Sequence, residues 1–242
     1  MELSIVIPVH NEADNVESLI VEIENALGSI GDYEIIYVDD GSTDGTLERL
    51  RELAREHPKL RVLHHRHCCG QSTALLTGIR AARAETIATL DGDGQNDPAD
   101  IPNLLAALRS GTDARVAMIA GYRAKRRDSR WRKFSSKVAN GVRAYLLADE
   151  TPDTGCGLKV FGRDAFLALP YFDHMHRFLP ALIQRAGGRV VSVEVNHRPR
   201  IAGTSKYGTW HRAWVGIVDL FGVIWLKRRA KVPIVDEIGT AS

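Results

Sequence analysis

The sequence predicts an α/β protein with a mostly parallel central sheet and helices on both of its faces. Short runs rich in Val and Ile, each of a length typical of a buried strand, alternate along the first half with longer helical segments. In those longer segments apolar residues recur three and four positions apart, as an amphipathic helix requires. Because a strand–helix–strand series places successive strands parallel, the pattern favours one parallel sheet over a meander of hairpins.

The individual strands and helices are predicted from the short Val/Ile runs and from the helical spacing of apolar residues. Strands are predicted over residues 3–9, 33–39, 60–66 and 86–91, with helices over 16–27, 46–57 and 72–84 between them. The second half is less regular. Further strands are predicted over 118–123 and 189–198, and helices over 131–147 and 212–229. With 242 residues and no evident linker, one core domain is expected.

Composition excludes several classes of protein. A chain that is 44% hydrophobic and 26% charged is neither disordered nor fibrous. Its three cysteines, two of them adjacent at Cys68 and Cys69, do not form a disulfide framework, so a reducing compartment is expected. The first nine residues lack a basic stretch and enter a strand directly, so no secretory signal is expected and the working surface should face the cytoplasm.

Three basic runs suggest a partner that carries phosphate. Eight Lys and Arg residues lie between Arg123 and Lys137 against the single acid Asp128, although the net charge of the chain is only +2. Further runs occupy residues 197–206 and 227–231. Such runs suit a nucleotide, a phospholipid surface or nucleic acid, whereas a solvated surface is the simpler explanation of any one run.

The stretch TLDGDGQNDP, residues 89–98, places three carboxylates within seven residues directly after a predicted strand. Ligands of parallel sheets bind at the carboxyl ends of the strands. An Asp-x-Asp pair there suits Mg²⁺ or Mn²⁺, and Gln95 adds a neutral oxygen. A plain turn rich in Asp and Gly is the alternative interpretation.

Four motifs in order, IVIPVHNE, YVDDGSTDGT, GQSTALLTGIRAA and TLDGDGQNDP, resemble the nucleotide-sugar domain of inverting glycosyltransferases with the GT-A fold. The later stretches GYR, DTGCGLKVF and HRPRIAGTSKY narrow the resemblance to polyprenyl-phosphate glycosyltransferases, the family typified by dolichol-phosphate mannose synthase. The resemblance covers about residues 3–210. It implies a catalytic domain over 1–210 and a C-terminal amphipathic tail over 211–242.

The resemblance also implies donor-site residues. They bind the nucleotide sugar and comprise Pro8, His10, Glu12, Asp39, Asp40, Asp91, Asp93, Arg200 and Lys206. The metal ion, Mg²⁺ or Mn²⁺, is expected at Asp91, Asp93 and Gln95, whereas Ser42 and Asp44 are expected to cap the following helix. Arg200 and Lys206 match a loop that closes on the donor phosphates.

For the acceptor phosphate the resemblance implies Arg123, Arg132 and Ser136, and the catalytic set would be Asp93, Arg123 and Arg200. A lipid phosphate is already an anion, so it needs no protein base. Asp153 is therefore expected to organise the acceptor loop, with a role as general base as the alternative. Three hypotheses remain open for the function. The protein is a glycosyltransferase with a lipid-phosphate acceptor, a glycosyltransferase of the same fold with a saccharide or diacylglycerol acceptor, or a phosphoinositide or nucleic-acid binding module.

The donor remains open between GDP-mannose and a UDP-sugar. The helix at 212–229 has an apolar part that is too short to span a bilayer, so it either lies in the membrane interface or packs on the domain. Attachment as a peripheral protein at the inner face of the cytoplasmic membrane is expected, with a small membrane protein as a further candidate partner. Metal binding by HHRHCC, residues 64–69, is not favoured, because adjacent cysteines cannot form the usual zinc-binding spacing.

Overall fold

The computed structural model describes residues 1–111, 113–124, 147, 151–199, 209–231 and 233, except for the side chains of 209–214. The described strands are β1 (Leu3–Val9), β2 (Tyr33–Asp40), β3 (Leu60–His65), β4 (Thr86–Thr89), β5 (Val116–Tyr122), β6 (Lys159–Gly162) and β7 (Arg189–Glu194). The described α-helices are α1 (Ala13–Ala26), α2 (Thr46–Glu56), α3 (Gln71–Ala81), α4 (Ile101–Ser110), α5 (Arg163–Leu167), α6 (Leu179–Arg185) and α7 (Thr209–Arg229).

The described strands form one mixed sheet in the order β3-β2-β1-β4-β6-β5-β7. The pairs β2–β3, β1–β2, β1–β4 and β5–β7 are parallel, whereas β6 runs antiparallel to both of its neighbours. The predicted mostly parallel α/β sheet is therefore confirmed. The sequence pattern did not predict β6, a four-residue strand, nor the helices α4, α5 and α6.

Helices cover both faces of the sheet because the buried strands are apolar on both sides. Leu3, Ile5 and Ile7 of β1 pack into one hydrophobic cluster with α1, α2 and α4. Val6, between them, belongs to a second cluster that includes α3, α6 and Val223 of α7. Alternate side chains of a strand point to opposite faces, so the near-continuous Val/Ile runs are what a doubly covered sheet needs.

The parallel strands place the polar motifs at one edge. His10 follows β1, Asp40 is the last residue of β2, and His65 is the last residue of β3. β4 ends at Thr89, two residues earlier than predicted, so Asp91 lies in the loop beyond it. β7 is also shorter than predicted, but His197 forms an isolated bridge with Asn96 and brings the following chain to the same loop.

Helix α7 packs on the domain with one face and exposes the other. Val223 is fully buried, and Arg185 Nε of the α6 end donates a hydrogen bond of 3.0 Å to the carbonyl of Leu226. The opposite face bears exposed apolar side chains at Ile217, Val218, Phe221 and Trp225. Among the described residues, no helix combines the length and the apolarity that crossing a membrane requires. Of the predicted helix at 131–147, only Leu147 lies within the described residues.

Candidate active site

Two aspartate–histidine pairs close the ends of β2 and β3. The parallel register sets Asp39 opposite His64 and Asp40 opposite His65. Each histidine Nδ1 lies 2.7 Å from a carboxylate oxygen of the aspartate beside it. Asp39 is fully buried, and its second oxygen, Oδ1, has no hydrogen-bond partner. Both aspartates expected in the nucleotide site therefore have a histidine partner on the neighbouring strand β3.

Asp40 also holds the loop of residues 67–70 in place. Its carboxylate accepts hydrogen bonds from the backbone N–H groups of Cys69 (2.9 Å) and Gly70 (2.8 Å). Burial alone would raise the pKa of Asp40, but the hydrogen bonds from Cys69, His65, Cys68 and Gly70 outweigh burial and lower it. Gly41 permits the close approach of this loop, because it has φ +67° and a Cβ there would lie 2.5 Å from the carbonyl carbon of His67.

The loop after β1 packs onto the same edge. His10 Nδ1 lies 2.8 Å from the backbone carbonyl oxygen of Asp40, and Pro8 is buried in β1 beneath it. The backbone N–H of Glu12 lies 2.9 Å from Thr46 Oγ1. Asp44 accepts a hydrogen bond of 2.9 Å from the N–H of Thr46, the first residue of α2, although the N-cap position of this helix is Gly45. The hydroxyl of Ser42 instead binds the N–H of Asn11 at 2.8 Å, so the expectation that Ser42 caps α2 was wrong.

The acidic loop after β4 has a different environment. Asp91 Oδ1 accepts from Gln71 Nε2 at 3.0 Å, and Asp93 Oδ1 accepts from the N–H of Gln95 at 3.1 Å. Burial, and then the charge of Asp93, raise the pKa of Asp91 to about 6. Gly157 lies directly under the Asp91 carboxylate, because a Cβ at this glycine would be 2.3 Å from it.

Two residues near Asp91, Lys159 and Asn96, were not among the site residues predicted from the sequence. Lys159 is almost fully buried and hydrogen-bonds the carbonyl of Cys156, and burial lowers its pKa while the charge of Asp91 acts against that shift. Asn96, also buried, accepts a hydrogen bond of 3.2 Å from the N–H of Asp91. These two residues could have been predicted from the lysine inside the otherwise apolar run LKVF and from the asparagine beside the Asp-x-Asp pair.

Arg123 forms a two-pronged ion pair with Asp153. Its Nε lies 2.6 Å from Oδ2 and its Nη2 lies 3.0 Å from Oδ1, and both side chains are about nine-tenths buried (12% and 10% exposed). The segment 153–157 thus connects Arg123, through Asp153, with Asp91, through Gly157. The structure brings the expected acceptor arginine and the expected metal ligand to the two ends of one five-residue segment.

The model of the family described as "Glycosyl transferase family 2" matches residues 4–169 of this chain. The chain belongs to glycosyl transferase family 2. The match includes the ends of β1, β2 and β4, the acidic loop and the Arg123–Asp153 pair. The protein is accordingly a glycosyltransferase, as the sequence predicted.

Curated relatives narrow the similarity further. This glycosyltransferase is 36% identical to dodecaprenyl-phosphate galacturonate synthase from Rhizobium johnstonii, over 94% of this chain and 68% of that protein. It is 35% identical to undecaprenyl-phosphate 4-deoxy-4-formamido-L-arabinose transferase from Aeromonas hydrophila, over 86% of this chain and 64% of that protein. The chain therefore spans about two thirds of the length of these relatives. The resemblance to polyprenyl-phosphate glycosyltransferases is confirmed.

Solved structures confirm the fold. Glucosyl-3-phosphoglycerate synthase from Mycobacterium tuberculosis, in complex with Mg²⁺ and uridine diphosphate, matches with a TM-score of 0.70 at 18% identity, over 96% of this chain and 80% of that one. A mannosyltransferase from Pyrobaculum calidifontis, in complex with GDP-Man and Mn²⁺, matches with a TM-score of 0.67 at 23% identity, over 96% of this chain and 66% of that one. At these identities the likeness establishes a shared fold.

Several expected site residues of the glycosyltransferase lie outside the described residues: Arg132, Ser136, Arg200 and Lys206. The chain does reach the acidic loop just before residue 200, because the N–H of Arg198 donates a hydrogen bond of 3.0 Å to the carbonyl of Gln95. The guanidinium of Arg198 is held by Glu22 at 2.6 Å. Arg198 is therefore held beside the acidic loop.

The residues after β4 fit a divalent cation. Asp91 and Asp93 offer carboxylate oxygens, and burial, followed by the charge of Asp93, raises the pKa of Asp91. Mg²⁺ and Mn²⁺ prefer oxygen ligands and commonly share them with substrate phosphates.

Proposed function

We propose that the protein transfers a sugar from a nucleotide-diphosphate sugar to a polyprenyl phosphate, with inversion and with the help of Mg²⁺ or Mn²⁺. One observation carries the proposal: the acidic loop and the clamped Arg123 lie at the two ends of segment 153–157. Such a site can hold a metal-bound diphosphate on one side and a phosphate anion on the other. The names of the relatives from Rhizobium johnstonii and Aeromonas hydrophila support a polyprenyl phosphate as the acceptor.

On the donor side, Asp91, Asp93 and Gln95 would hold the metal ion. When bound, the ion would neutralise the diphosphate and stabilise the nucleoside diphosphate as it leaves. Pro8, His10 and Glu12, together with Asp39 and Asp40, would line the pocket of the base and ribose. Arg200 and Lys206 would close on the donor phosphates, and Arg198, two residues before Arg200, donates its N–H to the carbonyl of Gln95.

On the acceptor side, Arg123 would bind the lipid phosphate together with Arg132 and Ser136. A phosphate oxygen would attack the anomeric carbon as the bond from that carbon to the diphosphate breaks, which inverts the configuration. Because the phosphate is already ionised, no side chain has to remove a proton. Both oxygens of Asp153 are bonded by Arg123, which supports a positioning role for Asp153 and argues against a general base.

The catalytic task is then mainly electrostatic. Two phosphate-bearing substrates repel each other, and the site must bring them into contact and hold them in line. Arginine suits this task because its planar fork binds phosphate through two hydrogen bonds and stays charged. Asp153 occupies the Nε and Nη2 side of Arg123 and fixes its orientation, so the phosphate would be bound through Nη1 and the remaining N–H of Nη2.

The second face of α7 would place the protein on a membrane. Exposed Ile217, Val218, Phe221 and Trp225 lie on this helix, and Lys227, Arg228 and Arg229 follow at its end. Apolar side chains beside a basic cluster suit a surface of anionic lipid, where a polyprenyl phosphate must be collected. The proposed division is a catalytic domain over 1–210 and a membrane-interfacial tail over 211–242. A small integral membrane protein bound to the same face is the alternative partner.

The direct test is an assay of the purified protein with a panel of GDP- and UDP-sugars, undecaprenyl phosphate in detergent, and either Mg²⁺ or Mn²⁺. Formation of a polyprenyl-phosphate sugar from one donor is the expected result. Transfer to a saccharide or to diacylglycerol, with none to the lipid phosphate, would contradict the proposal.

Substitution of Arg123 tests the acceptor site. Loss of one charge-assisted phosphate contact costs about 1.5–3 kcal/mol, so Arg123→Ala should raise the KM for lipid phosphate by roughly 10- to 150-fold. The KM for the nucleotide sugar should change far less. Arg115→Ala is the matched control, because Arg115 is an exposed arginine paired with Asp113 on the same sheet. An equal rise in both KM values would remove Arg123 from the acceptor site.

The membrane face is tested with the double variant Phe221→Ser and Trp225→Ser. Their side chains are 67% and 59% exposed, so the change should leave the fold intact while weakening binding to anionic liposomes. Flotation with liposomes measures the loss, and Val21→Ser, at a similarly exposed apolar residue of α1, serves as the control. If the unaltered protein does not bind anionic liposomes at low salt, the face serves a protein partner instead.

A further inference from the structure

The loop of residues 67–70 brings a cysteine to the paired end of β2 and β3. Among the described residues, the Asp40 carboxylate, the His65 ring and the Cys69 thiol each offer a ligand atom, and these atoms all lie within 4.8 Å of one another. All three belong to different segments of the chain: the end of β2, the end of β3 and the loop that precedes α3. The expectation that residues 64–69 do not bind metal considered only spacing along the chain, whereas the pairing of β2 with β3 adds Asp40 to His65 and Cys69. The geometry points to a second metal site here, for a thiophilic divalent ion such as Zn²⁺, distinct from the oxygen site at Asp91 and Asp93.

The ligand types select the ion. Sulfur from cysteine and nitrogen from histidine, with one carboxylate, suit Zn²⁺ and are poor partners for Mg²⁺. Three ligand atoms around one tetrahedral Zn²⁺ lie roughly 3.3–3.6 Å apart, given its usual bond lengths. The three atoms lie within 4.8 Å of one another, but His65 Nδ1 is only 2.7 Å from Asp40 Oδ1. Metal binding would therefore open this hydrogen bond by about 0.6 Å and draw the Cys69 thiol toward the ion. The fourth position would be left to water, as in other zinc sites with three protein ligands.

The surroundings already orient two of the ligands. His65 Nε2 lies 2.9 Å from Thr77 Oγ1, while Nδ1 faces the Asp40 carboxylate at 2.7 Å. Metal-binding histidines commonly have such a partner on the second ring nitrogen, because it fixes the ring and the tautomer. Cys68 is not a ligand in this arrangement, since its thiol donates to the other oxygen of Asp40 at 3.3 Å. On metal binding the Cys69 thiol would release its proton to solvent, and His65 Nδ1 would be the unprotonated nitrogen.

The site is connected to the chemistry of the glycosyltransferase. Asp40 holds the loop through the N–H of Gly70, and the next residue, Gln71, donates to Asp91 at 3.0 Å. A metal on Asp40 would draw the carboxylate away from these N–H groups and shift the start of α3. Zn²⁺ should therefore inhibit sugar transfer in the presence of excess Mg²⁺. This consequence rests on the proposed function, whereas occupancy of the site does not.

Occupancy is tested by adding Co²⁺, an optical substitute for Zn²⁺, to the reduced full-length protein in saturating Mg²⁺ and without sugar donor. A cobalt–thiolate absorption band in the near ultraviolet is expected at one equivalent and should disappear when Zn²⁺ is added. An oxygen-only site at Asp91 and Asp93 cannot give this band. Absence of the band in the unaltered protein would overturn the inference.

The two adjacent cysteines provide matched variants. Cys69→Ser should abolish the band and Cys68→Ser should retain it, and circular dichroism verifies that both variants fold. Thr77→Val should weaken Co²⁺ binding by about 10-fold or more, since it removes the orienting partner of His65. Retention of the band in Cys69→Ser would overturn the assignment. Transfer assays then compare Zn²⁺ inhibition in each variant with its own rate in Mg²⁺ alone, which separates failure of the site from failure of the proposed function.

Discussion

Two pairs of carboxylates lie at the same edge of the sheet, and they differ in their hydrogen-bond partners and in the direction of their pKa shifts. Asp39 and Asp40, at the end of β2, each meet a histidine of β3 at 2.7 Å. Asp91 and Asp93, after β4, have no histidine partner among the described residues and repel each other. The pKa of Asp40 is lowered by its hydrogen bonds, whereas burial and Asp93 raise the pKa of Asp91 to about 6.

The two pairs differ in the hydrogen-bond partners that the protein itself supplies to them. A carboxylate that has its partners on the protein can hold loops in place, as Asp40 holds residues 67–70. A partly buried pair of carboxylates whose repulsion is only partly offset by Lys159 and Arg123 costs free energy until a metal cation binds. The sequence motifs VDD and DGD look alike in charge, and only their neighbours distinguish the two roles.

The greatest loss of transfer activity is expected from a substitution in the Asp91–Asp93 pair. Asp93→Asn removes a proposed metal ligand and should lower the transfer rate by about 10²–10³-fold, because the charge developing on the leaving diphosphate loses its stabilisation. Steady-state assays in Mg²⁺ measure this. Asp97→Asn is the control, since Asp97 lies on the same loop but its side chain only caps a short 3₁₀ turn through the N–H of Ala99. Full activity of Asp93→Asn in the presence of EDTA would rule out metal dependence through this loop.

A medium effect is expected at the balanced pair. His64→Ala leaves the fully buried Asp39 without its histidine, and an unsatisfied buried acceptor costs about 1–3 kcal/mol of unfolding free energy. Urea unfolding measures the change. The exposed neighbour His67, changed to Ala, should stay within about 0.5 kcal/mol of the unaltered protein. If the two variants lose stability equally, the Asp39–His64 contact is not what stabilises this end of the sheet.

The smallest effect has the opposite sign. In metal-free protein, Asp91→Asn should raise the unfolding free energy by about 1 kcal/mol, because it removes a buried charge next to Asp93. The pH dependence has the same origin. The folded-state pKa of Asp91, about 6, lies above the unfolded value of 3.8, so this group favours the folded state at low pH and ceases to do so as pH rises through 6.

Asp40 should show the reverse dependence. Its folded-state pKa is lowered below 3.8, so its contribution to stability is present above pH 3.8 and is lost as the pH falls through the folded value. Urea unfolding of the metal-free unaltered protein and of Asp91→Asn from pH 2.5 to pH 7 measures both dependences: the loss of stability below pH 3.8, common to both proteins, reports Asp40, and the difference between the two proteins above pH 3.8 reports Asp91. A loss of stability in Asp91→Asn at pH 7 would show that the charge of Asp91 does not destabilise the metal-free folded protein.

The class of the fold and the edge of the sheet at which the site lies can both be predicted from the sequence. Strands such as 3–9 are apolar on both faces, which only a sheet covered on both sides can bury, and the polar motifs follow these strands directly. That regularity is local, so a sequence displays it. The same periodicity did not reveal β6, because four residues within LKVFG are too few to establish a period.

The tertiary structure decided which charges are balanced. Asp40 and His65 are 25 residues apart and meet because β2 and β3 pair in one particular register. Arg123 and Asp153 are 30 residues apart and meet at the ends of separate segments. Lys159 reaches the neighbourhood of Asp91 through the antiparallel pairing of β4 with β6. Electrostatic environment depends on distance in space and on burial, and neither quantity is a property of neighbours along the chain.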